Sequence, residues 1–301
     1  MLPIVYHPDY LAPLRPNHRF PMSKYGYLRE ALLERGLFSA ANVRAPAPFG
    51  QGQLVLAHCA TYVDRALGLR LEPWEVRQIG LPCTAQVIRR SRLSSAGTTL
   101  AAWLALDTGL ACNAAGGSHH AGHAAGAGFC VFNDVAVAAR NLLAQGVPGP
   151  MLILDADVHQ GDGTAEIFAD DVRVFTASIH AMKNYPERKA RSDLDVALPD
   201  GTAGAEYLAA LEDLLRRAIA DARPKLVFYN AGVDVHADDR LGRLALREDD
   251  IRQRDRTVIR RVREQGLPLV CVLGGGYLKD PHRLAALHAI LFEEAAAALA
   301  P

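Results

Sequence analysis

The most informative segment of the chain is the sequence DADVH at residues 155–159, which lies at the end of a short apolar run. Residues i, i+2 and i+4 of an extended chain project to the same side. Asp157 and His159 can therefore reach one ion, with Asp155 just beneath them. A third ligand, the carboxylate of Asp234 after another apolar run, would complete an Asp-His-Asp set with a position left open for water, as in catalytic zinc sites.

The structural alternative for this segment is a turn at the strand end with His159 as a buried core histidine. It is less favoured, because charged aspartates in an apolar strand are costly unless they are paired or bind metal. The donor types do not single out Zn²⁺, since two carboxylates and one imidazole also suit Fe²⁺ or Co²⁺.

The pair His119-His120 follows two glycines and a serine. Imidazole titrates near neutral pH, so such a pair can take a proton from water and return it. Asp155 and Asp162 are candidate acceptors that would orient the two rings and raise their basicity. Adjacent histidines alone favour a structural role, and Asp162 could equally be a turn residue or the cap of a short helix over 163–168.

The sequence GGGY at residues 274–277 follows a further apolar run. A tyrosine hydroxyl on a glycine-rich turn can hydrogen-bond an oxyanion as a carbonyl becomes tetrahedral. Gly128 and Phe129 follow the histidine pair closely and could shape a channel wall. The structural alternatives are a flexible turn with an aromatic plug and ordinary core packing.

The residues named so far follow apolar runs that predict buried strands, and amphipathic segments between these runs predict helices. The strands are predicted over 110–113, 151–158, 172–179, 226–231 and 267–273. The helices are predicted over 23–35, 54–67, 85–108, 134–145, 205–222, 248–264 and 281–298. This alternation predicts a single-domain three-layer α/β/α fold with a largely parallel sheet, spanning residues 1–301. Ligands bind beyond the carboxyl ends of such strands.

Composition excludes several classes of protein. The 301 residues contain 33 Lys plus Arg and 33 Asp plus Glu, so the formal net charge is zero, which argues against direct nucleic-acid binding through phosphate neutralisation. Five widely spaced cysteines do not indicate a disulfide framework. No apolar stretch approaches the ~18 residues of a membrane span. Without an export signal, we expect a cytoplasmic location.

The order of the motifs GGSHHA, GAGFCVFND, LDADVHQGDG, NAGVD and LGGGY resembles the histone deacetylase family of zinc-dependent deacetylases, which has the arginase-deacetylase fold. The resemblance implies removal of acetyl or longer acyl groups from lysine side chains of a protein or peptide, with hydroxamates as inhibitors that bind the metal. It assigns Zn²⁺ to Asp157, His159 and Asp234. It assigns proton transfer to His119 and His120, oriented by Asp155 and Asp162, and polarisation of the acyl carbonyl to Tyr277.

The resemblance also implies substrate contacts and a second ion. Gly128 would offer its carbonyl to the substrate amide, Phe129 would line the acyl-lysine tunnel, and Arg19 would lie near an internal product channel. A structural K⁺ would lie close to the zinc, held by Asp155, Asp157, His159, Ser178 and Ile179.

Several alternatives remain open from the sequence. The motifs are most similar to the class IV, deacetylase-11-like branch, which is associated with long fatty acyl groups, but Asp162 and the Val235-His236 pair depart from it. An acetylpolyamine amidohydrolase would use the same metal and histidines on a small cationic substrate. An arginase-like enzyme would need more bridging carboxylates than the chain offers. A non-catalytic acyl-lysine binding protein is the least favoured.

Overall fold

One parallel eight-stranded sheet runs through the computed structural model, which describes residues 1–299. The last two residues of the predicted 1–301 domain lie outside this range. The strands are β1 (Ile4–Val5), β2 (Val43–Arg44), β3 (Leu110–Asn113), β4 (Met151–Asp155), β5 (Val174–Ala181), β6 (Leu194–Leu198), β7 (Leu226–Asn230) and β8 (Leu269–Val272). Their order across the sheet is β2-β1-β3-β8-β7-β4-β5-β6, and every neighbouring pair is parallel.

Helices cover both faces of this sheet. They are α1 (Lys24–Glu34), α2 (Gln51–Leu54), α3 (Ala60–Leu67), α4 (Pro73–Ile79), α5 (Ala85–Thr108), α6 (Asp134–Ala144), α7 (Asp162–Phe168), α8 (Gly204–Ala222), α9 (Glu248–Glu264) and α10 (Pro281–Ala297). Helices α1, α10, α9 and α8 pack in a row, and α5, α6 and α7 form another. The predicted three-layer α/β/α architecture with a parallel sheet is confirmed.

Local sequence explains where the helices begin. The Thr84 hydroxyl accepts the Val87 N–H at the start of α5, and the Asn133 side chain accepts the Ala136 N–H at the start of α6. These are the side-chain caps that free N–H groups at a helix start require. Every residue of β4 is buried, as expected of a strand that has cover on both faces.

The predicted helix over 54–67 is wrong, because the structure contains α2 and α3 with a turn between them. The turn gives His58 a tertiary role that a continuous helix would not allow. The buried His58 ring accepts the Asn133 N–H at Nε2, 3.0 Å away, and its Nδ1 lies 2.8 Å from the Gly122 carbonyl. The Cys59 N–H donates to the His123 carbonyl.

The other differences between the predicted and observed elements concern short strands and helices and the bounds of β4. Strands β1, β2 and β6 and helix α4 were not predicted from the sequence; β1 and β2 have only two residues each and carry no periodic signal. Strand β4 ends at Asp155 and not at residue 158. The predicted bounds of β3, α5 and α9 are confirmed.

The His58 contacts predict how stability depends on pH. Burial lowers the pKa of His58 to about 4, against 6.5 for a free histidine. A protonated ring would place a second N–H against the Asn133 N–H, so the folded state disfavours protonation. We therefore expect stability to fall as pH drops from about 6.5 to about 4, with His58 contributing up to about 3 kcal/mol of that loss.

Chemical denaturation at pH 7 and pH 4.5 measures this effect. His58→Gln should be less stable at pH 7 but should lose less free energy of unfolding on acidification than the unsubstituted protein. The matched control is His282→Gln at an exposed histidine, which should keep the original pH dependence. Equal acid sensitivity in all three proteins would contradict the assignment.

Candidate active site

The four loops that carry the predicted site residues follow four adjacent strands. Strands β3, β8, β7 and β4 are neighbours in the sheet, and because they are parallel their carboxyl ends lie at one edge. The residues at that edge are Asp155 at the end of β4 and Asn230 at the end of β7, which are paired in register. The structure thus brings the predicted loops together.

Asp157, His159 and Asp234 form a buried cluster. Each offers one ligand atom, and these atoms all lie within 4.8 Å of one another. The His159 Nδ1 lies 3.0 Å from Asp157 Oδ1 and 3.2 Å from Asp234 Oδ2. Within residues 1–299, this is the single group of three or more such side chains close enough to hold a metal ion.

Backbone N–H groups hold the carboxylates of this cluster. Asp157 accepts the N–H of His159 at Oδ1 and that of Gly275 at Oδ2, and Asp234 accepts the N–H of Val158. The chain after β4 bends, whereas the prediction from the sequence required it to be extended. Asp155 Oδ1 accepts the Asp157 N–H and bends the chain, yet Asp157 and His159 still converge.

The charges of the cluster suit a divalent cation. Burial and the charge of Asp157 raise the pKa of Asp234 to about 7. Burial disfavours the charged form of His159, but its contacts with Asp157 and Asp234 outweigh this and raise its pKa to about 10. Two buried carboxylates around one imidazole therefore retain a proton, which a cation would replace. The donor set fits zinc or a similar divalent metal.

Two buried cations beside the cluster were missed by the sequence analysis. Lys24 Nζ donates to the Gly274 carbonyl, 3.0 Å away, and burial lowers its pKa to about 8. Arg254 donates to the carbonyls of Ala156 and Gly232, which precede metal-cluster residues in their loops. In the sequence, Lys24 and Arg254 have the pattern of solvent-exposed charges on amphipathic helices. No signal in the sequence therefore indicates that they are buried.

The two adjacent histidines each contact one carboxylate. The Nδ1 atoms of His119 and His120 lie 2.6 Å from Asp155 and Asp162, respectively. His119 Nε2 lies 3.8 Å from Asp157 Oδ1. The predicted pairings of histidine with aspartate are therefore present in the structure, and both rings lie beside the metal cluster.

The surroundings of the two histidines push their pKa values apart. Burial lowers the pKa of His119, but the charges of Asp155 and Asp157 outweigh it and raise the value to about 9. Burial and the neighbouring His119 lower the pKa of His120 to about 4, and Asp162 compensates only in part. His119 is thus the stronger base of the two and His120 the weaker. Such a division of pKa values is typical of acid–base pairs.

Tyr277 also lies beside the cluster. Its ring meets the His159 ring edge-on, with centroids 6.3 Å apart. The backbone is held on both sides, because Asp239 accepts the Tyr277 N–H and Arg240 donates to its carbonyl. Within residues 1–299 the hydroxyl has no hydrogen-bond partner. Burial and the nearby Asp234 raise its pKa well above the usual value, so the hydroxyl remains a donor.

Two cavities meet at this point. The outer pocket and the narrow inner cavity share His120, Gly128, Phe129 and Tyr277 as lining residues. The outer pocket has a volume of about 350 Å³, and the inner cavity has about 20 Å³ on the same measure. The predicted channel residues Gly128 and Phe129 therefore lie at the junction. A side chain at Gly128 would collide with His120, since its Cβ would lie 2.5 Å from the ring.

Arg19 is not where the resemblance implied. Its exposed side chain lies at the outer pocket, whereas the inner cavity is lined by the next residue, Phe20, and by the buried Arg90 of helix α5. Phe20 turns inward and packs against Phe129, with ring centroids 5.4 Å apart, so its neighbour Arg19 faces outward. Arg90 donates to the Tyr10 carbonyl and the Tyr25 hydroxyl.

The residues of the predicted K⁺ site lie on neighbouring strands. Asp155 pairs in register with Ser178, and Ile179 follows on β5. Asp155 Oδ1 accepts the Asn230 side-chain N–H, and the Ser178 hydroxyl lies 2.9 Å from His180 Nδ1. Asp157 and His159 belong to the metal cluster itself, so the two predicted ion sites share one region.

Fold and site together define a parallel α/β domain with a candidate metal-binding triad, a histidine pair and a tyrosine at the carboxyl ends of its strands. The histone deacetylase domain family matches residues 18–292. An uncharacterized protein from Picosynechococcus is 45% identical over 97% of this chain and 98% of its own length. Histone deacetylase 2 of Arabidopsis thaliana is 32% identical over 89% of this chain and 72% of its own length.

More distant comparisons agree. A probable deacetylase of Archaeoglobus fulgidus is 29% identical over 91% of this chain and 80% of its own length. The crystal structure of the HDA15 HD domain shares the fold with a TM-score of 0.82, at 20% identity, over 98% of this chain and 88% of that chain. The chain belongs to the histone deacetylase family, whose members are hydrolases that act on amides. None of the described helices has the length and apolar character needed to cross a membrane.

Gly275 offers a direct test of the metal cluster. A Cβ at this position would lie 2.0 Å from Asp234 Oδ2 and 2.7 Å from Asp157 Oδ2. Gly275→Ala should therefore displace both carboxylates and weaken zinc binding by at least about tenfold, or about 1.4 kcal/mol. Isothermal titration with ZnCl₂ measures this affinity.

Gly52→Ala is the matched control for this substitution. Its Cβ would meet no atom within 4 Å, so zinc affinity should not change. Circular dichroism establishes that both variants are folded. Wild-type zinc affinity in a folded Gly275→Ala variant would show that these two carboxylates are not the ligands.

Proposed function

We propose that this protein is a zinc-dependent lysine deacylase, with Asp157, His159 and Asp234 as metal ligands. The observation that carries the proposal is the junction of the two cavities. There His120 and Tyr277 line both cavities, Asp157 lines the inner one and His159 the outer one, so an acyl-lysine amide that enters through the outer pocket would meet all four side chains. We also propose that residues 1–301 act as one catalytic domain.

Zinc held by this cluster would polarise the amide carbonyl, acidify water for attack and bind hydroxamate-type inhibitors. The remaining roles belong to the protein. Tyr277 donates its hydroxyl proton in a hydrogen bond to the carbonyl oxygen as negative charge develops on it. Because this hydroxyl has no other partner within residues 1–299, it is free to make that bond. The raised pKa of Tyr277 keeps the donor proton in place.

His120 is the proposed proton acceptor. Its Nδ1 donates to Asp162, so Nε2 carries the lone pair in the neutral ring. The lowered pKa of His120 keeps that ring neutral at physiological pH, ready to take a proton from water. The proton then passes to the leaving lysine amine. His119, whose Nδ1 lies 2.6 Å from Asp155 and whose Nε2 lies 3.8 Å from Asp157, would keep the adjacent His120 ring and the metal cluster in position.

Substrate position follows from the junction of the cavities. The Gly128 carbonyl would accept the amide N–H of the substrate, and the Phe129 ring would pack along the lysine methylenes. Phe129 adopts φ +67°, a left-handed conformation that is costly for a bulky residue and is retained most often at functional sites. Its N–H is held by the Ile79 carbonyl.

The inner cavity favours a short acyl group. Carbons beyond the reacting carbonyl would enter this cavity, and its volume of about 20 Å³ holds roughly one water-sized group. We therefore propose acetyl as the preferred group over long fatty acyl chains.

A structural K⁺ beside Asp155, Ser178 and Ile179 would offset the charge of the buried Asp155 carboxylate.

Turnover of acyl-lysine peptides tests both the lysine deacylase activity and the preference for acetyl groups. We expect zinc-loaded protein to hydrolyse an acetyl-lysine peptide with a kcat/KM at least about tenfold above that for its myristoyl counterpart, because the latter must displace the cavity walls. Acetylated polyamines serve as the competing substrate class, and a hydroxamate serves as the zinc-directed control. Faster turnover of acetylated polyamines than of any acyl-lysine peptide would refute the proposal that the protein is a lysine deacylase.

Tyr277→Phe isolates the oxyanion contact. The variant should lower kcat by about 10²-fold or more, because the lost hydroxyl donates only to the developing oxyanion. Zinc content by elemental analysis should stay at one equivalent, whereas Asp157→Ala should lose the metal. Tyr27→Phe, which removes a hydroxyl on helix α1, is the control and should retain full turnover. Undiminished kcat in Tyr277→Phe would exclude the proposed role.

A further inference from the structure

The mouth of the outer pocket is cationic. Its lining contains the Lys and Arg side chains Arg19, Lys183 and Arg243 and no Asp or Glu. Arg243 forms an ion pair with Asp200, 3.0 Å away. In the part of the chain from residue 1 to residue 299, Arg19 and Lys183 have no ion pair. Two positive charges at the entrance are therefore not neutralised by the protein.

The segment 182–191, which we call the mouth loop, adds to this charge. It contains four basic residues (Lys183, Arg188, Lys189 and Arg191) and one acid (Glu187), so its formal charge is 4 − 1 = +3. Beside it, Arg240 donates only to the backbone carbonyls of Tyr277 and Arg19. The chain as a whole has no net charge, so the positive charge of the mouth is a local concentration.

Specific contacts hold the mouth loop against the site. The buried Gln160, next to the metal-cluster residue His159, donates to the Ala190 carbonyl and accepts the Ala190 N–H. The Asn184 side chain donates to the Leu241 carbonyl across the pocket. Lys189 donates to the carbonyls of Asn184 and Pro186. The backbone of the mouth loop and the Lys189 side chain therefore have a defined position relative to the entrance.

We propose that this cationic mouth selects acyl-lysines that are flanked by acidic residues, which makes acidic segments of proteins the preferred substrates. This inference rests on the proposed lysine deacylase activity and adds the class of its substrate. Neighbouring carboxylates of a bound peptide would lie against Arg19 and Lys183, whereas basic neighbours would be repelled. A cationic polyamine would meet the same repulsion.

Three peptides with one acetyl-lysine core test the proposal, with Glu, Gln or Lys at both flanking positions. At low ionic strength, we expect kcat/KM to fall in the order Glu, Gln, Lys, with a difference of about tenfold between the extremes. The cations are exposed, so the difference should shrink to about twofold in about 0.5 M NaCl.

The double variant Arg19→Gln/Lys183→Gln should reduce the Glu-to-Lys preference at low salt to about threefold or less. The matched control, Arg223→Gln/Lys225→Gln, removes the same charge beside the amino end of β7, at the opposite edge of the sheet. The control should keep the tenfold preference. Circular dichroism establishes that both double variants are folded.

The outcomes separate this inference from the proposed function. If no acetyl-lysine peptide is hydrolysed, the proposed function fails and the inference fails with it. If all three peptides are hydrolysed equally well at low salt, the deacylase stands and the acidic preference is overturned. If the preference survives in Arg19→Gln/Lys183→Gln, the cationic mouth is not its source and the inference is overturned.

Discussion

The burial of three carboxylates at the carboxyl edge of the sheet is the constraint on which the rest of this structure depends. Asp155, Asp157 and Asp234 are all nearly inaccessible to water, where an unpaired charge would be strongly destabilising. Backbone N–H groups, two histidines and the Asn230 amide surround them. The ligand atoms of Asp157, His159 and Asp234 lie close enough together to hold a metal ion, and the glycines of the GGGY turn leave the space that this arrangement requires.

The same carboxylates also differentiate the two adjacent histidines. His119 lies between Asp155 and Asp157, which raise its pKa, whereas burial and the neighbouring His119 lower the pKa of His120, which has only Asp162 as a partner. Two residues of one type thereby acquire different pKa values from their neighbours alone. The buried side chains of Arg254 and Lys24 stabilise the loops by donating to the backbone carbonyls of Gly232 and Gly274. The position of the site residues therefore also depends on contacts within the core.

The surroundings of the site differ in character between its two cavities. The inner cavity is narrow and walled by glycines, aromatic rings and the buried Arg90. The outer pocket is wider and ringed by exposed cations. A chain with equal numbers of acidic and basic residues can produce this polarity because, within residues 1–299, seven of its acidic side chains are buried against three of its basic ones.

The sequence by itself determined the fold class and the residue types at the strand ends. Apolar runs report burial directly, and the parallel arrangement then places the loops after β3, β4, β7 and β8 at one edge. Only the tertiary structure decided the break between α2 and α3, the outward position of Arg19, and the burial of Arg90, Lys24 and Arg254. Each of these depends on contacts between segments that are distant in the chain, and local periodicity carries no information about such contacts.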